Sequence, residues 1–255
     1  MPGVRVGVVV FENHDVSKAP WLAAAAKRGG RATNAHGEVN PSMGNYLTLL
    51  SGSTQGVHGD EVTAGPFSAP TLAGQLTKAG IPWKAYMNAM PGPCYKPDAT
   101  FDEFNRYAKR HNPFVFFSDV IGNRASCEQH VVPGNRLAGD LASGKLPQFV
   151  WLGPDICQDA HNCGVDAAGR WMAQALPPLI KALGPKGVLF VTADESTADG
   201  NPVPMIALGP LAKPGATTDA DVNHRALLAT IQDLLGVGRL PATKDAPTLG
   251  SLLRG

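Results

Sequence analysis

Residues 4–11 (VRVGVVVF) form an unbroken apolar run that ends at Glu12, Asn13 and His14. A run of this length without polar alternation predicts a strand buried on both faces, as in parallel sheets. The same reasoning predicts strands at 83–87, 114–118, 148–152, 187–192 and 204–208. Helical spacing recurs between them. A helix is expected over 20–28, with proline near its start and Gly29-Gly30 as its stop. Others are expected at 42–50, 71–79 (ended by Gly80), 136–143 and 166–183, the last interrupted by Pro177-Pro178. The final helix is expected over 221–235, with Asp221 as its N-cap. Strands alternating with helices predict an α/β fold with a mostly parallel sheet. No repeat, low-complexity segment or linker divides the chain, so residues 1–255 read as one domain.

Open α/β sheets build their sites beyond the carboxyl ends of strands. The first strand runs into Glu12-Asn13-His14. The 148–152 strand leads to Asp155, Asp159 and His161. The 187–192 strand ends in Asp194-Glu195-Ser196. Acidic and imidazole side chains gathered at one edge are what a divalent cation needs.

Composition sharpens this pattern. Only 17% of the 255 residues are charged, and 22 basic against 21 acidic residues leave a net charge of +1. Acids are therefore scarce, and their concentration at strand ends carries weight. The balance gives no electrostatic case for a nucleic-acid partner, and no apolar run approaches the ~20 residues of a membrane span. The 29 glycines and 22 prolines make up one fifth of the chain and imply many loops on a rigid scaffold. Four cysteines, none in a CxxC pair, fit two disulfides. Three connectivities are open, and Cys157–Cys163 with Cys94–Cys127 is favoured on spacing over four buried thiols. Disulfides imply an oxidising compartment. Residues 4–11 read as a core strand and not as a signal peptide. The expectation is a secreted or cell-envelope protein whose leader has been removed.

The segment Asn40-Pro41-Ser42-Met43-Gly44-Asn45-Tyr46 passes from polar residues into a helical run. A serine at a helix N-terminus sits beside backbone N–H groups that bind phosphate and stabilise developing negative charge. It needs a base or a metal to become a nucleophile. The alternative reading is a plain N-cap serine. Other chemistries lack their motifs. There is no GxSxG elbow, no GxGxxG fingerprint and no HExxH. Residues 139–145 approach a P-loop, but Leu146 stands where Ser or Thr is required.

Five segments in order resemble the phosphoesterase family of acid phosphatases and phospholipases C, within the alkaline phosphatase superfamily. They are VVVFENHD, PSMGNYLTLLSGST, WKAYMNAMPGPC with a following HNPFVFF, LPQFVWLGPDICQDAHNC, and VLFVTADE with a later HRALLATIQDLLGV. The resemblance implies an alkaline-phosphatase-like three-layer sandwich with a mostly parallel central sheet flanked by helices. It implies a divalent metal ion (zinc, calcium, manganese or magnesium) held by Glu12 and Asn13, by Asp194 and Glu195, and by Asp159, with Asp155 an alternative to Asp159. Ser42 matches the nucleophile that would carry a phosphoseryl group. Asn45 matches a phosphoryl contact, and His161 and His224 match histidines near the site. The chain departs from the family at Asn40 (commonly His), Gly44 (commonly Pro), Asn162 (commonly an acid) and Ala168-Gly169 (commonly Gly-Asp). The expected activity is metal-dependent hydrolysis of a small phosphorylated substrate, a phosphomonoester above all, with no stable membrane insertion. A phospholipase C-like phosphodiesterase and a non-catalytic binder of anionic ligands are the alternatives. Phe67, Trp83, Tyr86, Met87 and Met90 could line an apolar approach for a lipid, though such residues more often form core.

Overall fold

A computed structural model describes residues 3–98 and 106–255. In chain order its elements are β1 (Arg5–Phe11), α1 (Pro20–Ala26), β2 (Gly30–Ala32), α2 (Met43–Ser51), α3 (Leu72–Lys78), β3 (Trp83–Met87), α4 (Ser118–Ile121), α5 (Arg124–His130), β4 (Val131–Pro133), α6 (Arg136–Ala142), β5 (Phe149–Gly153), α7 (Gly164–Leu183), β6 (Gly187–Ala193), β7 (Met205–Leu208), β8 (Thr217–Thr218) and α8 (His224–Leu235). The strands form one sheet in the order β4-β3-β5-β1-β6-β7-β2-β8. Every pairing is parallel except those of β7, which runs antiparallel to β6 and β2. α1, α6 and α7 cover one face, and α2, α3 and α8 lie on the other. The result is the expected three-layer α/β architecture.

β1 lies at the centre, between β5 and β6, and the composition of its run follows from that place. Val6, Val8, Val9, Val10 and Phe11 are all buried, as are all seven residues of β6. Each such side chain contributes roughly 1.5–3 kcal/mol on removal from water. β1 and β6 pair over seven rungs, from Arg5↔Gly187 to Phe11↔Ala193. Their ends are therefore level, and Glu12-Asn13 emerges beside Asp194-Glu195.

The structure departs from the expected elements in four places. Residues 114–118 do not form a strand: Pro113–Phe116 is a 3-10 helix followed by α4. Pro113 supplies the helical φ at its start, and Phe114 is buried against Trp83 and Trp151 without a strand partner. α7 runs through Pro177 and Pro178 without a break. α8 begins at His224 and is capped by Asn223, whose side chain accepts from the Arg225 and Ala226 N–H groups, and not by Asp221. β2, β4 and β8 are two or three residues long, too short to show a period.

Cys94 pairs with Cys127, and Cys157 with Cys163, the favoured connectivity. The second bridge closes the loop after β5, which carries Asp159 and His161. Among the described residues, no helix is long and apolar enough to cross a membrane.

Candidate active site

All nine residues of α2 are buried, Asn45, Thr48 and Ser51 among them. Ser42 and Tyr46 are four residues apart and so share a helix face. Both donate to Glu12: Ser42 Oγ to Oε2 at 3.0 Å, and Tyr46 Oη to Oε1 at 2.5 Å. Ser42 Oγ also lies 3.4 Å from Glu195 Oε1. The serine makes no side-chain cap on its own helix. That duty falls to Asp60, whose Oδ1 accepts from the Met43 N–H at 3.0 Å. The plain-cap reading of Ser42 is therefore set aside, because its hydroxyl faces carboxylates.

The strand ends deliver the acids as expected. Glu12 and Asp194 are fully buried, and Ser42 is 3% exposed. The Asn13 N–H donates to Asp194 Oδ1 at 3.3 Å. Burial pushes the Glu12 carboxyl well up, reinforced by Asp194 and then Asp159. Burial likewise raises Asp194 to about 6, and burial with Asp194 and Asp60 raises Glu195 to about 8. No Lys or Arg compensates Glu12, Asp194 or Glu195 among the described ion pairs. Buried carboxylates left so are costly unless a cation joins them.

His111 completes the cluster. It is buried, stacks on Tyr46 with ring centroids 5.3 Å apart, and places Nδ1 3.2 Å from Asp159 Oδ2. With Asp159 ionised, Nδ1 carries the hydrogen and the neutral ring keeps a lone pair on Nε2. That lone pair faces Glu12 Oε1 at 3.4 Å. Two acceptors held face to face are satisfied by a proton or a cation between them. Burial, then Arg110 and His161, holds the His111 pKa well below the usual histidine range, which suits a neutral ligand. His161 also comes within ligand range, its donor atom lying within 4.8 Å of those of Glu12 and His111. Its Nδ1 is tied to Asn162 Oδ1 at 2.6 Å. Buried Asn13 Oδ1, Asp194 Oδ2, Glu195 Oε2 and His111 Nε2 have no partner. Hard oxygens and imidazole nitrogen, converging and unpartnered, fit a divalent cation.

Other expected residues take supporting places. Asp159 pairs with His111 Nδ1 and so orients that imidazole, and its Oδ1 accepts from the His161 backbone N–H at 2.8 Å. Asp155 caps the Cys157 and Gln158 N–H groups. Asn45 is turned to the preceding loop: Oδ1 accepts from the Glu38 and Val39 N–H groups, and Nδ2 donates to the Val39 carbonyl at 2.7 Å. Gly44 allows that loop to approach, since a Cβ there would meet Val39 Cγ2 at 2.6 Å. His224 lies beneath the cluster, its Nε2 bonded to the Ala193 carbonyl at 3.0 Å. Burial, with a smaller push from His36, lowers it to about 4. Trp83, Tyr86, Met87 and Met90 are core.

His111 was not singled out from the sequence, although HNPFVFF begins with it. Its role depends on Asp159 and Glu12, 48 and 99 positions away, and no local spacing reveals that. Asp60 and Arg110 were missed for the same reason. Arg110 Nε lies 3.5 Å from Asp60 Oδ2.

A profile of the Phosphoesterase family matches residues 4–238. A probable acid phosphatase of Kluyveromyces lactis is 26% identical over 253 residues, which cover 92% of this chain and 59% of the relative. A phosphate-repressible acid phosphatase of Penicillium chrysogenum is 27% identical, with coverage of 90% and 58%. The chain thus spans under two thirds of the length of these fungal relatives. A phosphatidylinositol-3-phosphatase of Mycobacterium tuberculosis is 25% identical, with coverage of 96% and 81%. Among solved structures, a protein of the alkaline phosphatase superfamily from Vibrio parahaemolyticus superposes with a TM-score of 0.64 at 13% identity, over 95% of this chain and 69% of that one. The phosphonate monoester hydrolase of Silicibacter pomeroyi gives 0.62 at 12% identity, over 98% and 76%. These likenesses show the fold.

Proposed function

Because the chain belongs to the Phosphoesterase family, we propose that it hydrolyses phosphoric esters through a phosphoseryl intermediate on Ser42, with a phosphomonoester as substrate. One observation carries this reading above the others: the Ser42 hydroxyl is turned from its own helix onto Glu12 and Glu195, inside a ring of buried, unpartnered ligand atoms.

The residues that would hold the cation are Glu12, Asn13, Asp194 and Glu195 around Ser42, with His111 and His161 on the other side of Glu12. Once bound, a divalent ion lowers the pKa of a nearby hydroxyl and neutralises phosphoryl charge. Ser42 Oγ attacks phosphorus in line, forming the Oγ–P bond as the bond to the ester oxygen breaks. Its proton has Glu12 Oε2 and Glu195 Oε1 within reach. With His161 among the residues that would hold the cation, the departing alkoxide takes its proton from solvent water, since His224 is sealed behind β6. Water then cleaves the phosphoseryl group and regenerates Ser42. Asp159 fixes the His111 imidazole, and Asn45 holds the 38–39 loop against α2. The relatives are named as phosphatases, two of them acid phosphatases and one a phosphatidylinositol-3-phosphatase, which supports a monoester over a diester. The two disulfides fit an oxidising, extracellular or envelope setting.

The test is turnover of p-nitrophenyl phosphate by the purified chain, with a chelator and a Ser42→Ala control. Activity is expected to vanish on chelation and to return with one of zinc, manganese, calcium or magnesium. Activity that survives Ser42→Ala would overturn the nucleophile assignment.

A further inference from the structure

Asp60 lies in the loop between α2 and α3, and its carboxylate bridges two donors. Oδ1 accepts from the Met43 N–H at 3.0 Å, the first amide after Ser42. Oδ2 lies 3.5 Å from Arg110 Nε. The charge of Asp60 also reaches Glu195, and that of Arg110 reaches Asp159 and His111. Through Asp60 the guanidinium is linked to the end of α2 that carries Ser42. Among the described residues it is the one Lys or Arg ion-paired with any acid around Ser42.

A carboxylate that accepts from a helix amide with one oxygen and ion-pairs with a guanidinium through the other stands where two phosphoryl oxygens would meet the same groups. The buried, unpartnered Asp194 Oδ2, Glu195 Oε2 and His111 Nε2 are all acceptors and fit the cation that would share the phosphoryl group with the guanidinium. Charge decides which ester fits. A monoester dianion has three non-bridging oxygens, enough for a cation and an arginine together. A diester has two such oxygens and one charge.

Resting on the hydrolase reading, we propose that Arg110 is the specificity-determining residue that grips the phosphoryl group of a dianionic monoester. Asp60 is the carboxylate it exchanges. In the resting protein Asp60 holds both Arg110 and the Met43 amide, and it yields both when the ester arrives.

The experiment compares p-nitrophenyl phosphate with bis(p-nitrophenyl) phosphate in the wild type, Arg110→Ala, Arg110→Lys and Asp60→Asn. Arg110→Ala is expected to lower kcat/KM for the monoester by about 100-fold and for the diester by less than about 5-fold. Arg110→Lys keeps the charge, loses the fork, and falls between. It carries the same ratio test if the alanine variant fails to fold. Asp60→Asn is expected to lower the inhibition constant of inorganic phosphate several-fold, because a competitor has been removed. A merely structural Asp60 would weaken phosphate instead. Equal loss on both esters, or weaker phosphate inhibition in Asp60→Asn, would overturn the proposal. Calorimetric titration of inorganic phosphate into Ser42→Ala and Ser42→Ala/Arg110→Ala separates the two readings. If the wild type turns over neither ester, the hydrolase reading fails. A tenfold or greater loss of phosphate binding in the double variant would still support Arg110, and unchanged binding would overturn it.

Discussion

Two groups of buried or half-buried acids sit at different places on the same sheet, and they are built on opposite terms. Asp140 is met by Lys84 Nζ and Tyr86 Oη, each at 2.6 Å. Burial pushes its carboxyl up, yet those two donors hold it below the usual carboxylate range. Glu12, Asp159, Asp194 and Glu195 are more deeply packed, and every one of them is pushed up. The first acid is complete as the chain folds. The second group is left waiting for a positive partner. A satisfied polar cluster stabilises a structure, whereas an orphaned one marks where a ligand belongs.

The sharpest way to break this contrast is Ser42→Ala. It removes one hydroxyl from the orphaned group and is expected to cost at least 10³-fold in kcat, equivalent to about 4 kcal/mol, with the unfolding curve unchanged. A kcat within tenfold of wild type would place the chemistry elsewhere.

His224 tests the support beneath the acids. The Ala193 carbonyl can only accept, so His224 Nε2 carries a hydrogen, and burial disfavours a second one on Nδ1. Its folded pKa of about 4 lies below the unfolded value near 6.5. Between those values the unfolded chain binds the proton and the native chain does not. This contribution is therefore whole above pH 6.5 and is lost as pH falls toward 4, by up to about 3 kcal/mol. Raised carboxyls such as Asp194 act in the opposite sense. The informative quantity is thus the difference in urea unfolding free energy between wild type and His224→Gln across that window. A difference flat with pH would refute the assignment.

Asp194→Asn is expected to raise the stability of the cation-free protein by about 1–2 kcal/mol, since it removes an uncompensated buried charge. It should also abolish the rise in Tm that a divalent cation gives the wild type, as read by scanning calorimetry with and without chelator. Asp140→Asn gives the opposite sign: a loss of about 1 kcal/mol, with the cation response intact. Equal signs for the two variants would erase the distinction between the groups.

How far the sequence foretold this follows from the range of each signal. β1, β5 and β6 were legible because a strand covered on both faces must be apolar throughout. The acids after them were legible because strand ends point to one edge. The 113–116 segment misled, since a short buried apolar run looks alike as strand or 3-10 helix, and only its packing on Trp83 and Trp151 decides. Asn45 was expected to contact a phosphoryl oxygen, and its amide is engaged by the backbone of residues 38 and 39. His111, Asp60 and Arg110 were invisible because each acts on partners brought near by folding alone.

The seven rungs between β1 and β6 have a last consequence. Adjacent strands stand about 4.8 Å apart whatever their side chains. Glu12 and Asp194 each follow the final rung, so the sheet's own lattice acts as the ruler for the gap between the two acidic pairs. A gap of that size is one that a single ion can bridge. The site's dimension is thus fixed by main-chain hydrogen bonds that no single side-chain substitution removes. A one-residue deletion within either strand would turn one acidic pair to the opposite face and destroy the gap, even with every ligand still present in the chain.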